Sequence, residues 1–213
     1  MTDGICLFNT AEIRWFWPER NVESMQSWFV GEGPMPDSEI RTDIYLVLPG
    51  CETTGVKLRN KNFEIKALAE TAGSCFWPTG QSGVLQRWVK WSLASPKLPI
   101  LLDDLLSVGI WQPVTKERLL RKFTACPETF AEKGSAHSDR EEGCSVELTR
   151  VTMDARQPSW LTFGFEAFEP NAKLFDILNV AVGHFFRRHG SPPGVELSEA
   201  NSLSYPGWLK LIN

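Results

Sequence analysis

Several short segments of this chain carry a full charge at alternate residues: Glu12-Ile13-Arg14, Val56-Lys57-Leu58-Arg59, Phe63-Glu64-Ile65-Lys66, Val114-Thr115-Lys116-Glu117-Arg118 and Val146-Glu147-Leu148-Thr149. Guanidinium and ammonium groups brought together bind oxygen-rich anions through charge-assisted hydrogen bonds, in bidentate fashion for arginine. Carboxylates among them neutralise the cations or hold a hard divalent ion. Successive side chains on a strand point to opposite faces, so each segment has one apolar and one charged face. With helices available to cover the apolar faces, the charged faces are expected to line an interior, which makes a site for a polyanion.

Arg14, Lys57, Arg59, Lys66, Lys116 and Arg118 are the cations expected to point inward. Arg87 and Arg150 are candidates whose strands leave their parity open. So many cations would repel one another unless acids share the space, and Glu12, Glu64, Glu147 and Glu166 are the candidates for that role or for metal ligation. Two plainer readings stand beside this one. The charges could form ion-pair ladders in a barrel that binds nothing, or the charged face could meet solvent, as in many antiparallel sheets.

The elements that must position these groups follow from periodicity and punctuation. Strands are expected at 8–17, 42–48, 55–60, 62–68, 84–93, 113–123, 144–153 and 159–168, with loops at 31–39 and 73–83. Val22, Met25, Trp28 and Phe29 recur at helical spacing after Pro18 and Asn21, and a short helix is expected over 99–107. Leu174, Ile177, Leu178, Ala181, Val182 and Phe185 mark an amphipathic helix that Gly190 ends, and a last helix holds Trp208 and Leu209. Residues 128–143 are the most polar stretch, suited to a hairpin tip or insertion. The pattern predicts a single α+β domain over 1–213, an antiparallel barrel of about eight strands with flanking helices.

The 213 residues carry a net charge of −4, which argues against a general nucleic-acid binder. No apolar run approaches the ~20 residues of a membrane span, and the N-terminus lacks a signal-peptide pattern. The five cysteines show no C-x-x-C pair, so neither a disulfide framework nor a zinc site is signalled. These features predict a cytoplasmic protein without a nucleic-acid or membrane partner. Trp15, Trp17, Trp88, Trp91, Trp111 and Trp160 are expected mainly in core packing, with base stacking as the alternative.

In order along the chain, these segments resemble those of the CYTH domains, the triphosphate tunnel enzymes. Thr42-Asp43-Ile44-Tyr45-Leu46 resembles the family's second strand, Val56 to Arg59 its paired-cation strand, and Phe63 to Lys66 the strand ending in a tunnel lysine. Lys116-Glu117-Arg118 is similar to its K-x-R strand, Glu166 to the acid of its late strand pair, and Ser204-Tyr205-Pro206 to Leu209 to its closing helix. The resemblance implies a β-tunnel that binds a triphosphate compound or inorganic polyphosphate, with Mg2+ or Mn2+ held by Glu12, Glu147 and Glu166. It departs at the family's E-x-E-x-K, where this chain reads Glu12-Ile13-Arg14-Trp15-Phe16. Replacing a carboxylate by a guanidinium removes an oxygen ligand and adds a repelling charge.

Two expectations follow. One is a metal-dependent triphosphatase in which cations and metal offset charge on the transferring phosphoryl group. The other is a non-catalytic polyanion- or nucleotide-binding module with a degenerate metal site. An unrelated lipocalin-like barrel holding a larger organic anion is a third reading.

Overall fold

A computed structural model of the chain describes residues 5–60, 62–94, 104, 106–124, 131–133, 143–153, 157–168 and 173–213. Each of the alternating segments forms a strand. The strands are β1 (Ile5–Pro18), β2 (Asp37–Leu46), β3 (Thr54–Arg59), β4 (Asn62–Phe76), β5 (Ser82–Ala94), β6 (Trp111–Phe123), β7 (Glu132–Lys133), β8 (Gly143–Thr152) and β9 (Trp160–Phe168). The helices are α1 (Val22–Val30), α2 (Leu174–His189) and α3 (Tyr205–Ile212), with a 3-10 turn at Glu199–Asn201.

Pairing is antiparallel in the order β2-β3-β4-β5-β1-β9-β8-β6, and β6 returns to β2 through Asp37↔Leu120 to Leu46↔Trp111. This closes an 8-stranded barrel, with β7 a short extension beside the end of β6. Closure separates an inside from an outside.

The strands run longer than their local sequence predicts. β2 begins at Asp37, inside the expected loop, because its polar first half is held by its neighbour β6. β4 continues to Phe76 through two register shifts, after Leu68 and Thr71, and Gly73 takes a positive φ of 98° there. A bulge of this kind absorbs an extra residue and bends a strand, and glycine adopts that φ without steric penalty. Of the expected helix at 99–107, residues 104, 106 and 107 are helical and the others lie outside the described residues. Of 128–143, all but 131–133 and 143 lie outside them.

The apolar faces turn outward and are covered. Ile13, Trp15, Val146, Leu148, Leu161, Phe163 and Phe165 pack against Met25 and Phe29 of α1 and against the apolar stripe of α2, from Leu174 to Phe186. Phe163 sits at the centre, 5.2 Å from the ring of Phe165, 5.5 Å from Phe185 and 5.2 Å from Trp28. On the other side of the barrel Val56, Leu58 and Trp111 form a smaller outer cluster.

One end of the interior is apolar. Inward-facing Phe16, Tyr45, Val114 and Val151 meet Trp208 and Leu209 of α3, and Phe16 stacks on Trp208 at 5.3 Å. Pairing of β5 with β1 ends at Glu12↔Gln86, and the C-terminal segment takes the vacated edge: Trp15 bridges Ser202, and Leu203 N–H donates to Arg14 O at 2.9 Å. Ser204 then caps α3 by accepting from Gly207 N–H at 3.1 Å, with Pro206 in the first turn. The C-terminal helix thereby closes this end of the barrel. Among the described residues no helix is long and apolar enough to cross a membrane.

Phe163→Ala is expected to lower unfolding free energy by about 3–5 kcal/mol, as for aromatic truncation in a packed core. Arg87→Ala, at an exposed surface pair, is expected to change it by less than about 0.5 kcal/mol. Urea denaturation of the two variants checks the contrast.

Candidate anion-binding cavity

Beyond the apolar floor the inward residues become almost entirely charged, and they enclose a cavity of about 110 Å³. At ~10–15 Å³ per water centre that is room for roughly seven to eleven waters, comparable to a short phosphate chain. Arg14 comes from β1, Arg41 from β2, Lys57 and Arg59 from β3, and Lys66 from β4. Lys90 comes from β5, and Lys116 and Arg118 from β6. The lining acids are Glu12, Glu64, Glu147 and Glu166, and Asp43 is fully buried beside them. Glu39, more exposed at the rim, pairs with Arg41 and Arg118, so eight basic side chains face six acidic ones, an excess of two.

The acids are shared between cations. Asp43 lies 3.3 Å from Lys57, 3.2 Å from Lys116 and 3.2 Å from Arg41. Glu64 lies 3.2 Å from Lys57 and 3.4 Å from Lys90. Glu147 takes Arg14 at 2.5 Å and Arg118 at 3.5 Å, and Lys66 donates to Glu12. Burial alone would raise these carboxyls. For Asp43, Lys57 and Lys116 outweigh it, and for Glu147, Arg14 and Arg118 do, so both titrate far below the usual carboxylate range.

Glu12 and Glu166 are direct cross-strand partners. Burial, with Glu166 adding to it, pushes Glu12 up despite Lys66. Glu166 is held down against its burial by Lys66 and Lys90. Burial, aided by Lys57, also pushes the Lys116 ammonium well below its ordinary value, although it donates to Tyr45 Oη at 2.7 Å and sits 3.7 Å from the centre of the Tyr205 ring.

Several buried polar atoms at this cavity have no hydrogen-bond partner among the described residues: the donors Tyr205 Oη, Trp88 Nε1, Arg41 Nε and Arg118 Nε, and the carboxylate oxygens Asp43 Oδ1 and Glu64 Oε2, which lie in ion pairs. Arg41 Nε and Arg118 Nε lie 3.2 Å and 3.6 Å from carboxylate oxygens without hydrogen-bond geometry. Burial raises Tyr205 well above the ordinary tyrosine value, so its hydroxyl stays a donor. Arg59 makes no ion pair among the described residues. These donors suit a ligand made of acceptors.

Arg14 reaches Glu147 by crossing an intervening strand. In register, Gly164 of β9 lies between Arg14 of β1 and Glu147 of β8. A Cβ on Gly164 would stand 2.9 Å from Arg14 Cζ and 3.1 Å from the Ile13 carbonyl, so glycine clears the path for the guanidinium. Arg14 Nη1 also donates to Thr162 Oγ1 at 3.3 Å.

Arg14, Lys57, Arg59, Lys66, Lys116, Arg118, Glu12, Glu147 and Glu166 all reach the cavity, as strand parity predicts. Arg87 and Arg150 do not. Arg87 is paired in register with Ala11 of the outer core and binds Glu70 outside at 3.0 Å. Arg150 shares the outer parity of Val146 and Leu148 and binds Glu19 at 2.7 Å and Glu117 at 2.8 Å. Three ionised groups at the cavity, Arg41, Asp43 and Lys90, were not among the expected site residues. Arg41-Thr42-Asp43-Ile44-Tyr45 does alternate, but polar Thr42 on the other face hides it, and Lys90 is masked by the competing parity of Arg87.

The carboxylates do not fit a divalent ion. Among the described residues no three His, Cys, Asp or Glu side chains converge on one point. Glu147, one of the three expected ligands, is occupied by Arg14 and Arg118. No family model and no curated protein matches the chain.

Glu147 is held below its ordinary value, so its contribution to stability is complete above the unfolded glutamate value of about 4.3 and is lost as pH falls below it. Glu147→Gln strands Arg14 and Arg118 and is expected to lower stability at neutral pH by about 3–5 kcal/mol. It should also flatten the decline below about pH 4.3. Urea denaturation of both proteins across the acid range checks the magnitude and the slope.

Proposed function

We propose that this protein binds a short phosphate chain, either a triphosphate compound or inorganic polyphosphate, in a CYTH-like β-tunnel. The observation that carries the reading is the convergence of eight basic side chains on one cavity, an excess of two over the acids that face them. Uncompensated buried charge is strongly destabilising, and a triphosphate with roughly three to four negative charges offsets it. Arg59 and the unpartnered donors of Tyr205 and Trp88 support an acceptor-rich ligand. The tight packing of charged groups disfavours a large organic anion.

Binding is the leading role, because Asp43, Glu64 and Glu147 are all engaged by cations and none is free to activate water. Hydrolysis is a second reading, favoured by the facing carboxyls Glu12 and Glu166. They combine an acid pushed up by burial with one held down by lysines, as general acid and base pairs do.

Thermal shift with tripolyphosphate, ATP and thiamine triphosphate tests the binding claim. A ligand at 100 times its Kd stabilises by about 2.7 kcal/mol, visible as a rise in Tm. Arg59→Ala is expected to weaken that rise without lowering the ligand-free Tm. No shift with any phosphate chain removes the proposal. Phosphate release above that of Lys66→Ala replaces the binding role by the hydrolytic one.

A further inference from the structure

We infer that Arg14 does for the bound anion what a divalent cation does in an E-x-E-x-K site, so that the cavity takes its phosphate chain as the metal-free species and Mg2+ opposes binding. The inference rests on the phosphate-binding reading and specifies the ionic form of the ligand. Its first ground is the donor set. A hard cation needs several oxygen ligands. Here Glu147, Glu64 and Asp43 are held by Arg14, Arg118, Lys57, Lys90 and Lys116, and Glu12 by Lys66, which leaves Glu166 as the one lining carboxylate without an ion pair among the described residues.

The second ground is that the guanidinium has a built place. Gly164 clears the path, Glu147 and Thr162 fix Nη1, and the Tyr205 ring lies 5.0 Å from Cζ. One nitrogen is thus committed to the protein, and the fork retains other N–H donors, the arrangement suited to planar, bidentate recognition of phosphate oxygens. A fixed cation of this kind is present before the ligand arrives, whereas a metal would have to enter a lining with an excess of two basic groups.

The charge balance points the same way. A free triphosphate offsets the excess positive charge, while its Mg2+ complex brings two positive charges back into the cavity and has part of its oxygens already coordinated. Because Mg2+ binds polyphosphates in solution, it also withdraws the form that this site prefers.

Isothermal titration with tripolyphosphate, in EDTA and in excess Mg2+ at matched ionic strength, tests this on the unmodified protein. The expected result is a Kd at least about tenfold weaker with Mg2+, equivalent to about 1.4 kcal/mol. Equal or tighter binding with Mg2+ overturns the inference while leaving the phosphate reading in place, and no binding in either buffer overturns the reading itself. Arg14→Lys keeps the charge but not the fork. It is expected to weaken metal-free binding about tenfold or more, and unchanged affinity in a folded Arg14→Lys protein also overturns the inference.

Discussion

A charged group sealed inside a protein must find an opposite charge, and much of this structure follows from that requirement. With eight basic side chains lining the cavity of one barrel, three of the inward carboxylates serve more than one cation. Asp43 sits among Lys57, Lys116 and Arg41, Glu64 between Lys57 and Lys90, and Glu147 between Arg14 and Arg118. Because these partners come from different strands, the ion pairs act across the barrel as well as along it. Removing one acid leaves two cations exposed to each other in a medium of low dielectric, where repulsion is strong.

The same requirement explains the division of the molecule into an inside and an outside. A strand with a charge at every second position can bury both faces when the apolar face meets helices and the charged face meets other charged strands. Helices α1 and α2 satisfy the first condition over β1, β8 and β9, and barrel closure satisfies the second. Phe16 marks where the interior changes character. From there to the C-terminal helix the inside is apolar, and Trp208 and Tyr205 provide the aromatic boundary above which Arg14 and Lys116 stand.

Much of the cavity is legible in the amino-acid order because the strand period of two is rigid. Once Glu12 faces inward, Arg14 must as well, and the same holds for Lys57 with Arg59, Glu64 with Lys66, and Lys116 with Arg118. Where polar residues occupy both parities the rule gives no answer. Gln86, Arg87 and Lys90 compete on β5, and it is the register with β1, setting Arg87 beside Ala11, that sends Arg87 outward and Lys90 inward. On β8 the inner place falls to Glu147 and Thr149, which leaves Arg150 on the outer face.

What the residue order settles alone is therefore local: which residues alternate, where glycine and proline interrupt them, and which stripes ask for cover. Strand ends and partners are set by contacts distant in sequence. Asp37 to Glu39 look like loop until β6 supplies their hydrogen bonds, and Gly164 looks incidental until Arg14 is seen to cross it toward Glu147. The charge balance of the cavity is also a tertiary property, since Arg41, Asp43 and Lys90 enter it only when eight strands close. Alternation fixes the face on which a side chain stands, but closure decides which faces meet, because only then do charges far apart in sequence come within a few ångströms of each other.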